Sequence, residues 1–330
     1  MKLGDIGERD FLKSIRDYVG HIKGARLGFD DDASDIPLSS EQSLIINVDT
    51  FVGKTDWLPG MSAAQVGRKT AVMALSDLAA KGASPLATML SLCTPDDFDT
   101  SEAGELVRGF SQYCIKAGVP FIGGDLGMAQ DVILTGVAIG VARPEGIIPR
   151  NGAKVGDVIA VTGDFGLTSV AYEILINGRE ANEELKKKAL LAAYKPSINL
   201  GLVAALAEKK AVTASMDSSD GLGITLNTIA TQSKVAFVID SLPSAKGVEL
   251  FARMNMMDEM KFVMLGGEEF LLVLTIPSDK FRAAEDIADA RHVSLVEIGR
   301  VMEGDSVMYE SSEGYVPVPF AGYDNFKEWS

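Results

Sequence analysis

Histidine and cysteine are scarce in this chain. Two histidines, His21 and His292, occur in 330 residues. That nearly excludes a His-rich zinc centre and leaves few partners for a nucleophile that needs an imidazole base. The two cysteines, Cys93 and Cys114, lack Cys-x-x-Cys spacing and sit in apolar surroundings, so they read as reduced core thiols. Positive charge is short as well: 31 Lys+Arg stand against 46 Asp+Glu, a formal charge of −15. A surface this acidic repels phosphate backbones, which argues against nucleic-acid binding, and attracts divalent cations. No run approaches the roughly 18 apolar residues of a membrane span. Met1-Lys2-Leu3-Gly4-Asp5 runs into a charged helix without the apolar centre of a signal peptide. The expectation is a soluble, cytoplasmic chain with no membrane partner.

What is present is ordinary globular composition, 47% apolar and 23% charged. The length suits two domains of about 150 residues each. Helical periodicity covers residues 8–19, with Phe11, Leu12, Ile15, Tyr18 and Val19 on one side. Leu44-Ile45-Ile46-Asn47-Val48 reads as a short buried strand ending at Asp49. Ser62 with Gln65 forms a capping box, and the helix it opens should stop at Gly82. Strands are expected near 86–92 and 132–142, with a helix near 102–117 between them. The Pro/Gly-rich stretch from Arg143 to Gly156 is the best boundary, which divides the chain into residues 1–148 and 149–330. Beyond it, strands are expected near 157–162, 235–239, 270–276 and 293–298. Helices are expected near 167–178, 184–194, 198–210, 222–232 and 279–290. Such alternation indicates two α/β domains.

Familiar nucleotide motifs are missing. Gly53-Lys54-Thr55 lacks the earlier glycine of a phosphate loop, because Val48 stands there. Leu226 occupies the last glycine position of a dinucleotide pattern begun at Gly221. Neither histidine is followed by Arg-Asp, so there is no protein-kinase catalytic loop.

Carboxylates instead occur where they are usually rare. Asp31 and Asp32 lie in a glycine-flanked turn, and Asp49 ends an apolar strand. In Ala71-Val72-Met73-Ala74-Leu75-Ser76-Asp77-Leu78-Ala79-Ala80 only Ser76 and Asp77 are polar. A helix apolar all round is buried, and a buried aspartate needs a partner, a hydrogen bond or a metal. Asp77 is therefore either an ion-pair partner of Lys81 one turn on, or a functional group. Asp125 after Gly123-Gly124 reads alone as a turn residue bonding its own backbone. Asp217 and Asp220 read alone as helix caps. Together the set supplies several oxygen ligands on separate elements, without the histidines and thiolates that softer metals favour. That chemistry fits magnesium bridging phosphate oxygens during phosphoryl transfer.

The order of these motifs resembles one family. Asp31-Asp32-Ala33, Val48-Asp49-Thr50, Leu75 to Ala83, Gly123-Gly124-Asp125, Arg150 to Asp157, Asp217 to Leu222, Gly266-Gly267-Glu268-Glu269 and Gly322-Tyr323-Asp324 follow the pattern of thiamine-monophosphate kinases, in the aminoimidazole ribonucleotide synthetase superfamily. The resemblance covers nearly the whole chain and leans towards the archaeal branch. It implies an α/β (α+β) two-domain PurM-like fold that pairs as a homodimer through its N-terminal sheet. It implies ATP-dependent phosphorylation of thiamine monophosphate to thiamine diphosphate, by direct transfer with several magnesium ions. Carried over by motif, Asp31, Asp32, Asn47, Asp49, Asp77, Asp125, Asp217 and Asp220 stand at metal positions, and Asp32, Asp77, Asp125 and Asp220 carry the transfer. Gly124, Asp125, Arg150 and Ser219 stand at nucleotide positions. Asp56, Glu268 and Tyr323 stand at the thiamine end, where a carboxylate and an aromatic face suit a cationic thiazolium. The structural alternatives are a turn cap after Gly266-Gly267 for Glu268 and packing of the C-terminal tail for Tyr323.

Four departures fall mostly on the substrate side. Asp30 replaces a glycine, Asn47-Val48 replaces a Ser-Thr pair, Asp56 stands where bacterial members carry a histidine, and Glu269-Phe270 replaces Asp-Tyr. The competing readings are an ATP-dependent synthetase of the aminoimidazole ribonucleotide type and a silent nucleotide-binding relative. A selenophosphate synthetase would need a reactive cysteine or selenocysteine before Cys93. A hydrogenase-maturation dehydratase would need a cysteine near the C-terminus, where the sequence has none.

Overall fold

Ser62 opens the helix on which the architecture is built. Its hydroxyl accepts from the Gln65 amide at 3.4 Å, and Gln65 Oε1 accepts from the Ser62 amide at 2.8 Å. The helix ends where Gly82 takes φ +73°, and the Ala83 amide reaches back to the Leu78 carbonyl at 3.0 Å. That is the reciprocal closure a left-handed glycine allows.

The computed structural model describes residues 2–324 and 326. Helices α1 (Leu3–Ile6) and α2 (Glu8–Ile15) lead into β1 (Ser34–Pro37) and β2 (Ser43–Val52). A single turn, α3 (Gly53–Asp56), precedes the Ser62-capped helix α4 (Ala63–Ala80). Next come β3 (Ser84–Thr94), α5 (Thr100–Ala117), β4 (Phe121–Met128) and β5 (Ile133–Ala142). The five strands form one sheet, ordered β1-β2-β5-β3-β4. It is antiparallel except between β3 and β4.

The second half runs β6 (Val158–Val161), α6 (Leu167–Leu175), α7 (Glu183–Tyr194), α8 (Leu202–Glu208), β7 (Ala214–Ser218), α9 (Leu222–Ser233) and β8 (Ala236–Ile239). It closes with α10 (Val248–Met254), α11 (Glu259–Leu265), β9 (Leu271–Ile276), α12 (Phe281–Asp289), β10 (Val296–Met302), β11 (Val307–Ser311) and β12 (Gly314–Pro317). Its sheet has seven strands, ordered β12-β11-β8-β10-β6-β9-β7. Among the described residues no helix is long and apolar enough to cross a membrane.

Helix α4 is apolar all round because both halves of the molecule pack on it. Ala71, Ala74, Leu75 and Leu78 share a buried cluster with Phe51, Leu90, Leu134 and Ala138 of the first sheet. The same cluster includes Val170, Leu185, Phe251 and Phe262 from the second half. Helix α5 approaches α4 backbone to backbone. A Cβ on Gly67 would lie 1.8 Å from the Leu106 carbonyl oxygen, and one on Gly109 would lie 2.0 Å from that of Ala64.

Three elements depart from the sequence reading, the first being β2, which does not end at Asp49 but runs through it to Val52. Gly123-Gly124-Asp125 lies inside strand β4, not in a turn. A Cβ on Gly124 would meet the Leu90 carbonyl oxygen at 1.7 Å, so the glycine lets β4 close on β3. Met216-Asp217-Ser218 belongs to the wholly buried edge strand β7. Helix α9 is entered through Gly221 with no side-chain cap, so neither Asp217 nor Asp220 caps it.

The α4–α5 contact yields a stability prediction. Gly67→Ala gains about 1 kcal/mol of helix propensity. Overpacking against a fixed backbone carbonyl outweighs it, and a net loss of about 2 kcal/mol is expected by denaturant titration. An unchanged or raised midpoint would show that α5 yields.

Candidate active site

Asp32, Asp77 and Asp217 come from three separate elements, the 28–33 turn, α4 and β7, and meet at the seam between the halves. Each offers an oxygen within 4.8 Å of the others. Ser76 Oγ donates to Asp217 Oδ2 at 2.7 Å, which ties α4 to β7. Lys81, next on the helix row after Asp77, does not pair with it. Its fully buried ammonium lies 2.7 Å from Asp31 Oδ1 and 2.6 Å from Asp32 Oδ2, and donates to the Ser215 carbonyl at 2.7 Å. Arg150 donates through Nε to Asp32 Oδ1 at 2.8 Å and through Nη1 to the Asp30 carbonyl at 2.8 Å. Its backbone amide donates to Asp31 Oδ2 at 3.1 Å.

The electrostatics follow from this arrangement. Burial alone would raise the Asp32 carboxyl, but Arg150 and Lys81 outweigh it and hold it below the usual range. Burial, then the charges of Asp217, Asp32 and Asp49, push Asp77 well above its ordinary value. Burial and the charge of Asp32 push Asp217 to about 7, against the Ser76 hydrogen bond. Carboxylates that raise one another in this way invite a further cation. The donor set is all oxygen, and Asp32 keeps lone pairs beyond those its two cations take. These residues fit a hard divalent ion such as magnesium.

The other expected metal positions divide into two groups. Asp49 and Asp220 flank the cluster; burial pushes each to about 6, with the charge of Asp220 adding to the rise at Asp49 and Arg9 opposing it at Asp220. Arg9 on α2 lies 3.1 Å from Asp220. Asn47 is buried and its amide donates to the Ala74 carbonyl at 3.2 Å, binding β2 to α4. Asp125 and Gly124 are not brought to the cluster within one chain. Asp49 pairs with Gly136, Gly136 with Leu90, and Leu90 with Gly124. Three strand spacings separate them, about 14 Å.

A second group forms at the N-terminal end of α4. Tyr323 Oη donates to Asp56 Oδ1 at 3.3 Å, and Asp56 Oδ2 accepts from the Val52 amide at 2.7 Å. Glu268 pairs with Lys69 of α4 and accepts from Tyr172. The Glu268 amide donates to the Ser219 carbonyl at 2.6 Å, which joins this group to the metal end. Glu269 points elsewhere: it accepts from the Gly166 amide at 2.8 Å and from Thr168 Oγ1 at 3.0 Å, closing the start of α6. All three residues expected at the thiamine end therefore converge.

Comparison with known proteins identifies the family and the fold. Residues 30–142 match the AIR synthase related protein, N-terminal domain, and residues 154–310 match its C-terminal domain. A thiamine-monophosphate kinase of Nitrosopumilus maritimus is 34% identical over 289 residues, 87% of this chain and 90% of its own length. The chain belongs to the thiamine-monophosphate kinase family. Its two-domain PurM-like fold is the one the family motifs imply. A crystal structure of a Thermus thermophilus protein superposes with TM-score 0.85 at 31% identity, covering 96% of this chain and 100% of its own. The complex of AaThiL with AMPPCP and TMP superposes with TM-score 0.82 at 23% identity, over 98% and 99% of the two chains, and at that identity shows the fold.

Sequence reasoning offered Lys81 only as a partner for Asp77 and passed over Lys69. Lys69, Met73, Asp77 and Lys81 recur every four residues and so follow one row along α4. Two lysines in that apolar row were the available signal. Lys81→Met should leave Asp31 and Asp32 short of a partner and cost about 3 kcal/mol, the scale of breaking a buried pair. Chemical denaturation in metal-free buffer checks this; an unchanged midpoint would mean that Arg150 alone holds the turn.

Proposed function

We propose that this protein transfers the γ-phosphoryl of ATP to thiamine monophosphate, giving thiamine diphosphate and ADP. The observation that carries the reading is the pair of groups on one helix. An oxygen-only cluster, Asp32, Asp77 and Asp217, lies towards one end of α4, and Asp56, Glu268 and Tyr323 converge at the other. The first suits phosphates reached through a divalent ion, and the second suits a cationic aromatic ring.

Asp32, Asp77 and Asp217, with Asp49, Asp220 and Asn47 beside them, would hold magnesium, and Asp31 would steady Asp32. The ion would supply positive charge against the repulsion between donor and acceptor phosphates. The protein's own task is positioning. Arg150, tethered by Asp32 and the Asp30 carbonyl, presents a planar cation beside the cluster for nucleotide phosphate. Ser219 supplies close backbone approach to the nucleotide, and Gly124, like Asp125, can do so only from a second copy. No side chain needs to act as a strong base, because the acceptor is already a phosphate oxygen.

Asp125 belongs to the reading only in a homodimer. The helix-free face of the first sheet carries Val48, exposed, with Ile46, Met89, Val137 and Ile139 half-buried beside it. An apolar sheet face of this kind asks for a partner, and a second copy meets it with the same face. Asp125 alternates with Gly124, whose partner Leu90 is buried against the helices, so Asp125 lies on the open side. The dimer can thus carry it to the cluster of the other subunit. The domains are taken as residues 1–148 and 149–330.

ADP release with ATP and magnesium, compared among thiamine monophosphate, thiamine and formylglycinamidine ribonucleotide, tests the activity. Thiamine diphosphate by mass, from the monophosphate alone, is expected, and chelation should abolish it. Product from the ribonucleotide instead would transfer the assignment to the synthetase. Asp77→Asn should cut turnover about a hundredfold or more without lowering the melting temperature, since it relieves repulsion. Normal turnover by that variant at limiting magnesium would remove Asp77 from the site. Val137→Glu, at the centre of the open face, should convert a dimer to monomer in light scattering and lower activity with it; a monomeric wild type would reject the shared site.

A further inference from the structure

Phosphoryl transfer by these groups leaves one buried cation without a task. Lys69 is 0% exposed, midway into the apolar helix α4. A lysine loses hydration there and persists only with compensation. Three groups supply it: the Glu268 carboxylate, the Asp56 carbonyl oxygen at 3.4 Å, and the Phe51 ring with its centroid at 5.6 Å. The pair crosses the seam, because Lys69 belongs to the first half and Glu268 follows α11 in the second.

Glu268 is held in a backbone conformation that a side-chain-bearing residue seldom adopts. Its φ is +64°, and Phe270 two residues on has φ +53°. Such backbones last where the surroundings over-determine them, and they concentrate at functional sites. The ties are the Ser219 carbonyl at 2.6 Å on the amide, Lys69 on Oε1 and Tyr172 on Oε2. Tyr323 packs on the same loop, with its Cβ 3.4 Å from where a Gly267 Cβ would stand. Asp56 faces the same space, so two carboxylates and one aromatic ring share a face that repels itself unless a cation sits behind it. Lys69 is the cation that touches both Glu268 and the Asp56 backbone. Its ammonium is sealed from solvent and cannot itself receive a ligand.

We propose that Lys69 is a positioning residue for the acceptor: it fixes Glu268, and through it the Asp56–Glu268–Tyr323 face, in the arrangement that receives the cationic thiazolium end. This rests on the acceptor reading given above. Lys69 acts on the acceptor and not on the nucleotide, because it lies eight residues from Asp77, about 12 Å along the helix.

Lys69→Met keeps the stem and removes the charge. With wild type forming thiamine diphosphate, the variant should raise the KM for thiamine monophosphate about tenfold to a hundredfold, the scale of a misplaced binding group. The KM for ATP and kcat at saturation should stay within about threefold. Calorimetric binding of thiamine monophosphate without ATP should weaken by the same factor. In a Glu268→Gln background, Lys69→Met should add nothing, since its route of action is gone. Equal shifts in both KM values, additive losses, or an unshifted KM in the folded variant would overturn the proposal. If Lys69→Met does not fold, Tyr172→Phe removes the other donor to Glu268, and the absence of an acceptor-specific shift there overturns it equally. No product from wild type would reject the acceptor reading itself, and the role of Lys69 with it.

Discussion

Keeping several carboxylates together away from water is the constraint on which this structure depends. Alone, Asp77 and Asp217 resist ionisation, and the charges around them make it harder still. The protein does not neutralise them all. It assigns its buried cations, Lys81 and Arg150, to Asp31 and Asp32 at the edge of the group. Asp77 is left mainly with neighbours of its own sign. A site fully paired within the protein would gain little from metal; one left partly unbalanced binds metal with the energy of its own repulsion.

The same constraint explains why one helix serves both halves. A carboxylate in an apolar helix is tolerable only where a second domain closes over it and a cleft remains for a cation. Helix α4 meets both conditions: its leucines and alanines pack on the first sheet, while Ser76 and Lys81 reach β7. Spacing along the helix then separates two chemistries. On the proposed reading, the lysine and aspartate at the cleft end serve phosphate, and Lys69, about two turns up the helix, serves the acceptor's cation. A rigid rod between them holds donor and acceptor at fixed separation, which is most of what in-line transfer asks of a protein.

Much of this was legible in the sequence, and the boundary between legible and hidden is physical. The capping box at Ser62 and the stop at Gly82 are local signals, and both hold to the residue. Asp77 stood out because charge in apolar surroundings is costly wherever it occurs, whereas Asp32 and Asp217 gained meaning only as members of the carboxylate set. Strand β4 was hidden because Gly124 answers to Leu90, a residue more than thirty positions away, and Gly123-Gly124 reads locally as a turn. Strand β7 was hidden because five wholly buried residues carry no alternation to detect. Lys81 was legible as a partner, but the local i+4 rule named Asp77, whereas tertiary contact chose Asp31 and Asp32.

The departures from the family pattern gain sense from the same geometry. Asn47 replaces a hydroxyl residue, yet its amide bonds the Ala74 carbonyl and so fixes β2 against α4, one turn before Asp77. The position therefore retains a structural duty whether or not its oxygen meets metal. Asp56, standing where bacterial relatives carry histidine, accepts from Val52 and Tyr323 and shares its space with Glu268. An imidazole there would bring donors and, when charged, a cation; an aspartate brings only acceptors and negative charge. On the proposed reading, the thiamine end is accordingly more acidic than one built around a histidine. The charge that balances it has to come from within the protein, and Lys69 is placed to supply it.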